Sequence, residues 1–412
     1  MFDTIEQARL HALHIFSDAD TQLRAIVAIH NTRLGPALGG CRFLHYPSYT
    51  HALEDAIRLA QGMSYKAALA GLPLGGGKAV IIKPQPLFDR AALLRAFGRC
   101  IEQLKGQYIT SVDSGTSSAD MDEIQKTTSH VTATGFHHVN PSPNTALGVF
   151  YGIQAALAHR FGDASLAGRH VAIQGVGNVG KVLAQHLHNH GATLTLSDTD
   201  PSQVKHLANR LNAQVVAPEH IFDVPCDVFA PCGLGGILNA NTLPRLRCHI
   251  VAGAANNQLA SPEQDDWLFQ HRILYAPDFV INAGGLIQVA SEKRVLETNS
   301  LETNVEQVEH VAQDEKRDDA SQQDDSPQQK AVKYRTQRIR DTLHNIFTTA
   351  EQQQQATGRI ATALAERLLF PYAISNTAGE QSTANPIASF ETRAATPHSA
   401  TGSVHQHVEH LS

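Results

Sequence analysis

The fold class of this chain is decided by one stretch, Gln174-Gly175-Val176-Gly177-Asn178-Val179-Gly180-Lys181. An apolar run typical of a β-strand, Arg169 to Ile173, precedes it, and a stretch with helical spacing follows to about His190. A Gly-x-Gly-x-x-Gly turn between a strand and a helix is typical of dinucleotide-binding domains. The first glycine permits the tight turn, the second lets the backbone approach a pyrophosphate, and the third allows close packing of the helix on the strand.

The next predicted strand, Thr193 to Leu196, indicates which dinucleotide is bound. It leads to Asp198, which lies 18 residues after Gly180. A carboxylate at this place accepts hydrogen bonds from both ribose hydroxyls and repels the 2′-phosphate of NADP. The alternative is a glycine turn without a ligand, followed by an exposed aspartate. We expect NAD, with these cofactor-binding residues: Gly175, Val176, Gly177, Asn178, Val179, Gly180 and Asp198.

The pattern of apolar runs predicts an α/β protein with two domains. Strands are expected at residues 24–30, 79–82, 227–230, 249–252 and 273–275, and a helix is expected at residues 49–63. Short strands with helical crossovers imply a parallel sheet with helices on both faces, which is the Rossmann arrangement.

A break at Pro141 to Thr145, before a helix expected at 146–160, is interpreted as a hinge between the domains. Residues 1–140 then form a substrate-binding catalytic domain, completed by C-terminal helices at about 345–375. Residues 141–344 form the NAD-binding domain.

Two polar segments interrupt this order. Residues 297–330 are rich in Glu, Gln, Asp and Ser, and residues 376–412 are polar and end in a histidine-rich stretch. Neither segment buries enough apolar surface to offset the entropy of ordering. We expect a flexible acidic insertion and a disordered tail.

Composition excludes several classes of protein. With 33 basic and 39 acidic residues among 412, the net charge is −6, which is unfavourable for binding nucleic acid. No apolar run is long enough for a membrane helix, and the start of the chain does not resemble a signal peptide. Five unevenly spaced cysteines without a Cys-x-x-Cys pair indicate neither a disulfide framework nor a zinc site. We expect a cytoplasmic protein without a bound metal.

Two lysines lie within an apolar, glycine-rich segment, residues 62–80. If Lys66 and Lys78 line one cleft, each lowers the pKa of the other, as does burial. A lysine whose pKa lies near neutrality can act as a general base. The glycines at 75–77 would let the backbone fold tightly around the second amine. The alternative is a pair of surface lysines that flank a loop.

Asp113 follows a strand-like run at Tyr108 and Ile109, and polar groups at strand ends are often functional in α/β sheets. Because Ser117 and Asp120 precede a helical stretch, a helix cap is the other possibility. Position favours a catalytic role for Asp113 and a capping role for the residues after it.

Seven motifs in this order resemble the Glu/Leu/Phe/Val dehydrogenases, and most of all the leucine dehydrogenases among them. The resemblance runs from about residue 10 to 295 and again from about 334 to 369. The motifs are Gly35 to Arg42, Gly62 to Val80, Asp113 to Thr116, Gln174 to Gly180, Ala230 to Cys232, Ala254 to Asn257 and Ile281 to Gly285.

This resemblance implies NAD-dependent, reversible oxidative deamination of an L-amino acid to a 2-oxo acid and ammonia. Lys66 would bind the substrate carboxylate, Lys78 would be the general base, and Asp113 would move protons to and from the substrate nitrogen. The resemblance assigns further substrate contacts to Gly39, Gly40 and Asn282, and further cofactor contacts to Thr145 and Asn257. It also implies a homo-oligomer.

The resemblance also bears on substrate class. The position of Leu38 is a lysine in glutamate dehydrogenases, where it pairs with the side-chain carboxylate of the substrate. Here it is apolar, so we expect an apolar and branched-chain substrate such as leucine. Phenylalanine, valine and tryptophan are the alternatives within the family. An inactive NAD-binding regulatory protein is the alternative outside it.

Overall fold

Two β-sheets, one in each half of the chain, position the residues singled out above. The computed structural model describes residues 2–85, 87–134, 140–292 and 326–371. All elements named below belong to the compact unit that ends at Phe370.

The first half builds a mixed sheet from strands β1 (Ala12–Asp18), β2 (Leu23–Asn31), β3 (Ala37–Leu44), β4 (Gly75–Ile82) and β5 (Tyr108–Val112). Their order is β1-β2-β4-β3-β5. Strand β2 is antiparallel to β1 and β4, whereas β3 is parallel to β4 and β5. The helices of this half are α1 (Phe2–Gln7), α2 (Tyr49–Leu69), α3 (Arg90–Gln103) and α4 (Ser118–Gln125).

The second half builds a parallel sheet from β6 (His170–Gln174), β7 (Thr193–Ser197), β8 (Gln214–Val215), β9 (Cys226–Pro231), β10 (Cys248–Val251) and β11 (Leu274–Tyr275). Their order is β11-β10-β9-β6-β7-β8, which reverses between β6 and β9. Ligand crevices form at such a reversal, beyond the carboxyl ends of the strands. The helices are α5 (Ser142–Phe161), α6 (Gly180–Asn189), α7 (Pro201–Leu211), α8 (Glu263–Gln270), α9 (Asp278–Ile281) and α10 (Gly284–Glu292). The predicted α/β fold with a Rossmann sheet is confirmed.

Three C-terminal helices connect the halves: α11 (Pro327–Gln337), α12 (Ile339–Gln353) and α13 (Thr357–Leu369). Helix α12 packs on α5, and α13 packs on α2. The hydroxyl of Tyr65 donates to Oε1 of Glu366 at 2.9 Å across the second contact. The boundary expected at about 344/345 lies inside α12.

Two predicted helices are longer than expected. Helix α2 continues past Met63 to Leu69, because good helix formers follow and the first left-handed residue is Gly71 (φ +63°). Helix α5 begins at Ser142, so most of the predicted break is already helical. Proline is tolerated in the first helical turn, where its missing N–H costs nothing, and Pro143 lies there.

The sequence suggested that the glycines at 75–77 fold around the amine of Lys78. They lie instead in a strand. They form the start of β4, where α2 and the neighbouring strands approach closely. A Cβ on Gly76 would lie 2.0 Å from the backbone nitrogen of Ser64 in α2. The glycines are therefore required by close packing of helix on sheet.

The two polar segments fall largely outside the described residues, namely 297–325 and 376–412. The predicted insertion ends too late, because α11 begins at Pro327. Ser326 and Gln329 form a capping box that starts this helix. Within the described ranges, no helix combines the length and apolar character that a membrane crossing requires.

Candidate active site

One cleft of about 380 Å³ is lined by both halves of the chain. Ten of the predicted site residues line it: Leu38, Gly39, Gly40, Lys66, Lys78, Asp113, Thr145, Val179, Asn257 and Asn282. The other predicted cofactor residues are not among its lining: Gly175, Val176, Gly177, Asn178, Gly180 and Asp198. They form the adjoining turn and the end of β7.

Lys78 and Asp113 form an ion pair inside the cleft. Lys78 is in β4 and is 6% exposed, and Asp113 follows directly after β5. Strand β3 lies between these strands and carries Gly39 and Gly40 at this level. A Cβ on Gly40 would lie 2.8 Å from Cβ of Asp113. Because the glycines of β3 have no side chains, Lys78 and Asp113 have space to contact each other.

Apart from the contact with Asp113, the surroundings of Lys78 favour its neutral amine. Burial lowers the pKa of Lys78 to about 7, and the nearby cations Arg42 and Lys66 act in the same direction. Such an amine exchanges a proton readily near neutral pH. The geometry and the electrostatics both suit a general base.

Lys66 lies in α2 and reaches across the cleft to the second half. Its Nζ donates to Oδ1 of Asn256 at 3.1 Å. Burial lowers the pKa of Lys66 to about 8, although the carboxylate of Asp278 opposes this shift. Both lysines line the cleft, so they are not the pair of surface lysines that the alternative required.

Asn282 is buried beside this contact. Its Nδ2 donates to Oδ1 of Asn256 at 2.8 Å and to the carbonyl oxygen of Ala254 at 3.1 Å. Its Oδ1 is buried and has no hydrogen-bond partner among the described residues. A buried acceptor without a donor is costly, so this oxygen is suited to an N–H group brought by a ligand.

The glycine turn has the geometry that a bound dinucleotide requires. Gly175 has a φ of +94°, which side chains disfavour, and its N–H donates to the carbonyl of Ser197 at 2.8 Å. A Cβ on Gly180 would lie 2.0 Å from the carbonyl oxygen of Gly175, so α6 packs directly on the turn. A Cβ on Gly177 would meet nothing within 4 Å. Space therefore remains over the turn, at a helix N-terminus that favours anions.

Asp198 helps to hold this turn. Its Oδ2 accepts from the N–H of Val176 at 2.7 Å, and its Oδ1 accepts from the N–H of Asp200 at 3.0 Å. Thr145 lies in the first turn of α5, where its hydroxyl donates to the carbonyl of Pro141 at 3.0 Å. The cap of α4 is formed by Ser117 and Asp120, which leaves Asp113 to the cleft, as expected.

Three charged or amide side chains in the lining received no role from the sequence: Arg42, Asn256 and Asp278. Arg42 and Asn256 belong to motifs quoted above, but nothing local shows that they face the cleft. Asp278 is buried and accepts from the backbone N–H groups of Gln258 and Phe279 at 2.9 and 2.7 Å. Burial raises the pKa of Asp278. In the sequence, Asp278 could have been identified as an acidic residue between an apolar strand and the Asn282 motif.

Known proteins match this chain over most of its length. A family model described as the Glu/Leu/Phe/Val dehydrogenase dimerisation domain matches residues 9–130. One described as Glutamate/Leucine/Phenylalanine/Valine dehydrogenase matches residues 140–201 and 196–358.

Two relatives and one solved structure illustrate the likeness. A leucine dehydrogenase from Geobacillus stearothermophilus is 50% identical over 278 residues, which are 67% of this chain and 76% of that protein. An L-tryptophan dehydrogenase from Nostoc punctiforme is 41% identical over 368 residues, 89% of this chain and 95% of that protein. A crystal structure of L-tryptophan dehydrogenase from Nostoc punctiforme has a TM-score of 0.73 and 38% identity, and the match covers 90% of this chain and 98% of that one.

Proposed function

Because the chain belongs to the Glu/Leu/Phe/Val dehydrogenase family, we propose that it catalyses the NAD-dependent, reversible oxidative deamination of an apolar L-amino acid, such as leucine, to the 2-oxo acid and ammonia. One observation carries the proposal. Lys66, Lys78 and Asp113 line a single cleft next to the dinucleotide turn.

Each of these groups suits one part of the reaction. The ammonium of Lys66 binds the substrate carboxylate in place of its contact with Asn256. The neutral amine of Lys78 takes a proton from the water that attacks the imino acid. Asp113 moves protons to and from the substrate nitrogen, and the backbone of Gly39 and Gly40 lies alongside. Bound NAD supplies the hydride acceptor.

We propose NAD and not NADP as the cofactor because of Asp198. Its carboxylate lies at the end of β7 beside the turn and adds a negative charge where the 2′-phosphate of NADP would lie. The turn residues Gly175, Val176, Gly177, Asn178, Val179 and Gly180, together with Thr145 and Asn257, complete the proposed cofactor site. The free space over Gly177 supports the fit of a dinucleotide to these residues.

The substrate side chain is proposed to be apolar. The cleft is lined by hydrophobic side chains that include Leu38, Leu59, Met63, Leu286 and Val289. With Leu38 buried at 4% exposure, a glutamate side chain would find no cation at that position. Tryptophan is the second candidate, because the L-tryptophan dehydrogenase match spans more of this chain than the leucine dehydrogenase match.

The test is NADH formation by the purified protein with L-Leu, L-Val, L-Ile, L-Phe, L-Trp and L-Glu in turn. We expect the highest kcat/KM with leucine and no turnover with glutamate. A clear preference for tryptophan or phenylalanine would replace the branched-chain assignment, and a preference for valine would replace leucine within it. Binding of NAD without turnover of any amino acid would instead indicate a regulatory protein.

We also propose that the chain forms a homo-oligomer. The support is the match of residues 9–130 to a domain described as a dimerisation domain. Symmetric assembly of identical chains is the usual arrangement of soluble oligomers.

A further inference from the structure

Arg42 places a permanent positive charge beside the catalytic pair. It lies in β3, two residues after Gly40, and lines the cleft. Its Nε is 3.6 Å from Oδ2 of Asp113. This Nε is buried and makes no hydrogen bond among the described residues. The guanidinium therefore faces the carboxylate that Lys78 already contacts.

A second carboxylate fixes the guanidinium in this position. Nη1 of Arg42 donates to Oδ2 of Asp55 in α2 at 2.9 Å. The same oxygen accepts from the hydroxyl of Tyr46 at 2.8 Å, and Oδ1 accepts from Nη2 of Arg58 at 3.1 Å. Burial opposes ionisation of Asp55, but these donors keep its pKa below the usual value. Asp55 is thus an ionised anchor for Arg42.

The chemistry explains why a second cation is needed. A general base must start the deamination as a neutral amine, and in that state Lys78 no longer neutralises Asp113. A half-buried carboxylate without a charge partner is costly. The guanidinium of arginine keeps its proton at any pH that proteins tolerate. Arg42 can therefore serve as partner for Asp113 while Lys78 is neutral.

Building on the proposed function, we propose that Arg42 is a positioning residue that holds the Asp113 carboxylate whenever the Lys78 amine is unprotonated. Asp55 holds the guanidinium in place for this role. The electrostatics agree, because Arg42 is the neighbouring charge that lowers the pKa of Lys78 most, after burial.

The first test compares Arg42→Met, Arg42→Lys and, as a matched control, Arg99→Met. Arg99 lies in α3, pairs with Asp18 and is 56% exposed, and it does not line the cleft. We expect Arg42→Met to lower kcat roughly 10- to 100-fold and to move the activating limb of its pH profile upward by about one pH unit, while KM for NAD stays unchanged. Arg42→Lys should keep the position of the limb, and Arg99→Met should match the wild type. A merely structural Arg42 would change kcat without moving the limb, and that result would overturn the proposal.

A second readout needs no turnover. Trace acetylation with acetic anhydride across a pH series, followed by peptide mass spectrometry, reports the protonation of Lys78, with exposed Lys126 as internal reference. We expect the half-maximal acetylation of Lys78 to lie at higher pH in Arg42→Met than in the wild type. Equal midpoints would contradict the role of Arg42. Absence of turnover in the wild type would contradict only the proposed function.

Discussion

The burial of Lys78 determines what its amine can do. Replacement by alanine removes the proposed base but touches no cofactor residue. We expect Lys78→Ala to lower kcat by ~10²- to 10⁴-fold and to leave NADH affinity, measured by fluorescence titration, nearly unchanged. The control is Lys83→Ala, an exposed lysine just beyond the end of β4. If Lys78→Ala keeps most of its kcat, the base is another group.

The pKa values of Lys78 and Lys66 predict that rising pH increases kcat but weakens binding of the amino acid. Burial lowers the pKa of Lys78 to about 7 and that of Lys66 to about 8. In the proposed reaction Lys78 acts as a neutral amine, so kcat for deamination should rise as pH passes through 7. The proposed role of Lys66 is to bind a carboxylate as an ammonium, so KM for the amino acid should rise as pH passes through 8. Steady-state kinetics from pH 5.5 to 10 would show both changes, and a KM that stays flat to pH 10 contradicts the role of Lys66.

Asp198 makes a prediction about cofactor choice. Asp198→Asn removes the charge that repels a 2′-phosphate, while the amide oxygen can still accept from the N–H of Val176. We expect the ratio of kcat/KM for NADP to that for NAD to rise about tenfold, which corresponds to ~1.4 kcal/mol. Asp200→Asn is the control, since Asp200 caps α7. An unchanged ratio would mean that another group selects the cofactor.

Residues in local motifs could be predicted from the sequence, and residues that meet across the cleft could not. The turn at Gly175 and the carboxylate of Asp198 belong to one strand-turn-helix-strand unit, so spacing alone relates them. The contact of Lys66 with Asn256 joins residues 190 positions apart. No periodicity in the sequence predicts such a contact, because it depends on how the two sheets are placed relative to each other.

The contact of α2 with β4 gives a prediction about stability. Gly76→Ala would force a Cβ to within 2.0 Å of backbone in α2, whereas a Cβ on Gly62, in the middle of α2, would meet nothing within 4 Å. We expect Gly76→Ala to lower the melting temperature by several degrees, the effect of a loss above ~2 kcal/mol. Gly62→Ala should raise it slightly, since alanine favours a helix by ~0.5–1 kcal/mol over glycine. Differential scanning calorimetry of both variants measures their melting temperatures. Similar melting temperatures for the two variants would mean that β4 moves to accommodate the added methyl group of Gly76→Ala.

The limits of the elements were harder to predict than their existence. Every strand expected from an apolar run is present, because a strand that is largely buried consists mostly of apolar residues. The early start of α5 and of α11 was missed, because proline and polar residues usually indicate a break. In both helices a proline lies in the first turn, where it is compatible with helix.

Across the whole molecule, the proposed catalytic groups Lys78 and Asp113 come from one sheet and the glycine turn comes from the other. The cleft forms where the two halves meet, and the packing of α13 on α2 connects the second half to the first. Closure of such a cleft excludes water from the reacting groups. The arrangement explains why the family signature is spread over the chain and not concentrated in one domain.

The sheet edges predict where chains associate. Strand β1 is an edge of the first sheet and exposes Ile15 at 66%, and β8 is an edge of the second sheet and exposes Val215 at 47%. Only Ile15 lies in the stretch that matches a dimerisation domain. An uncovered edge strand with an apolar side chain favours pairing with another chain. We expect light scattering to give a multiple of the chain mass, reduced by Ile15→Lys and unchanged by Val215→Lys. A monomeric wild type would contradict the homo-oligomer, and an oligomer that persists in Ile15→Lys would place the interface away from β1.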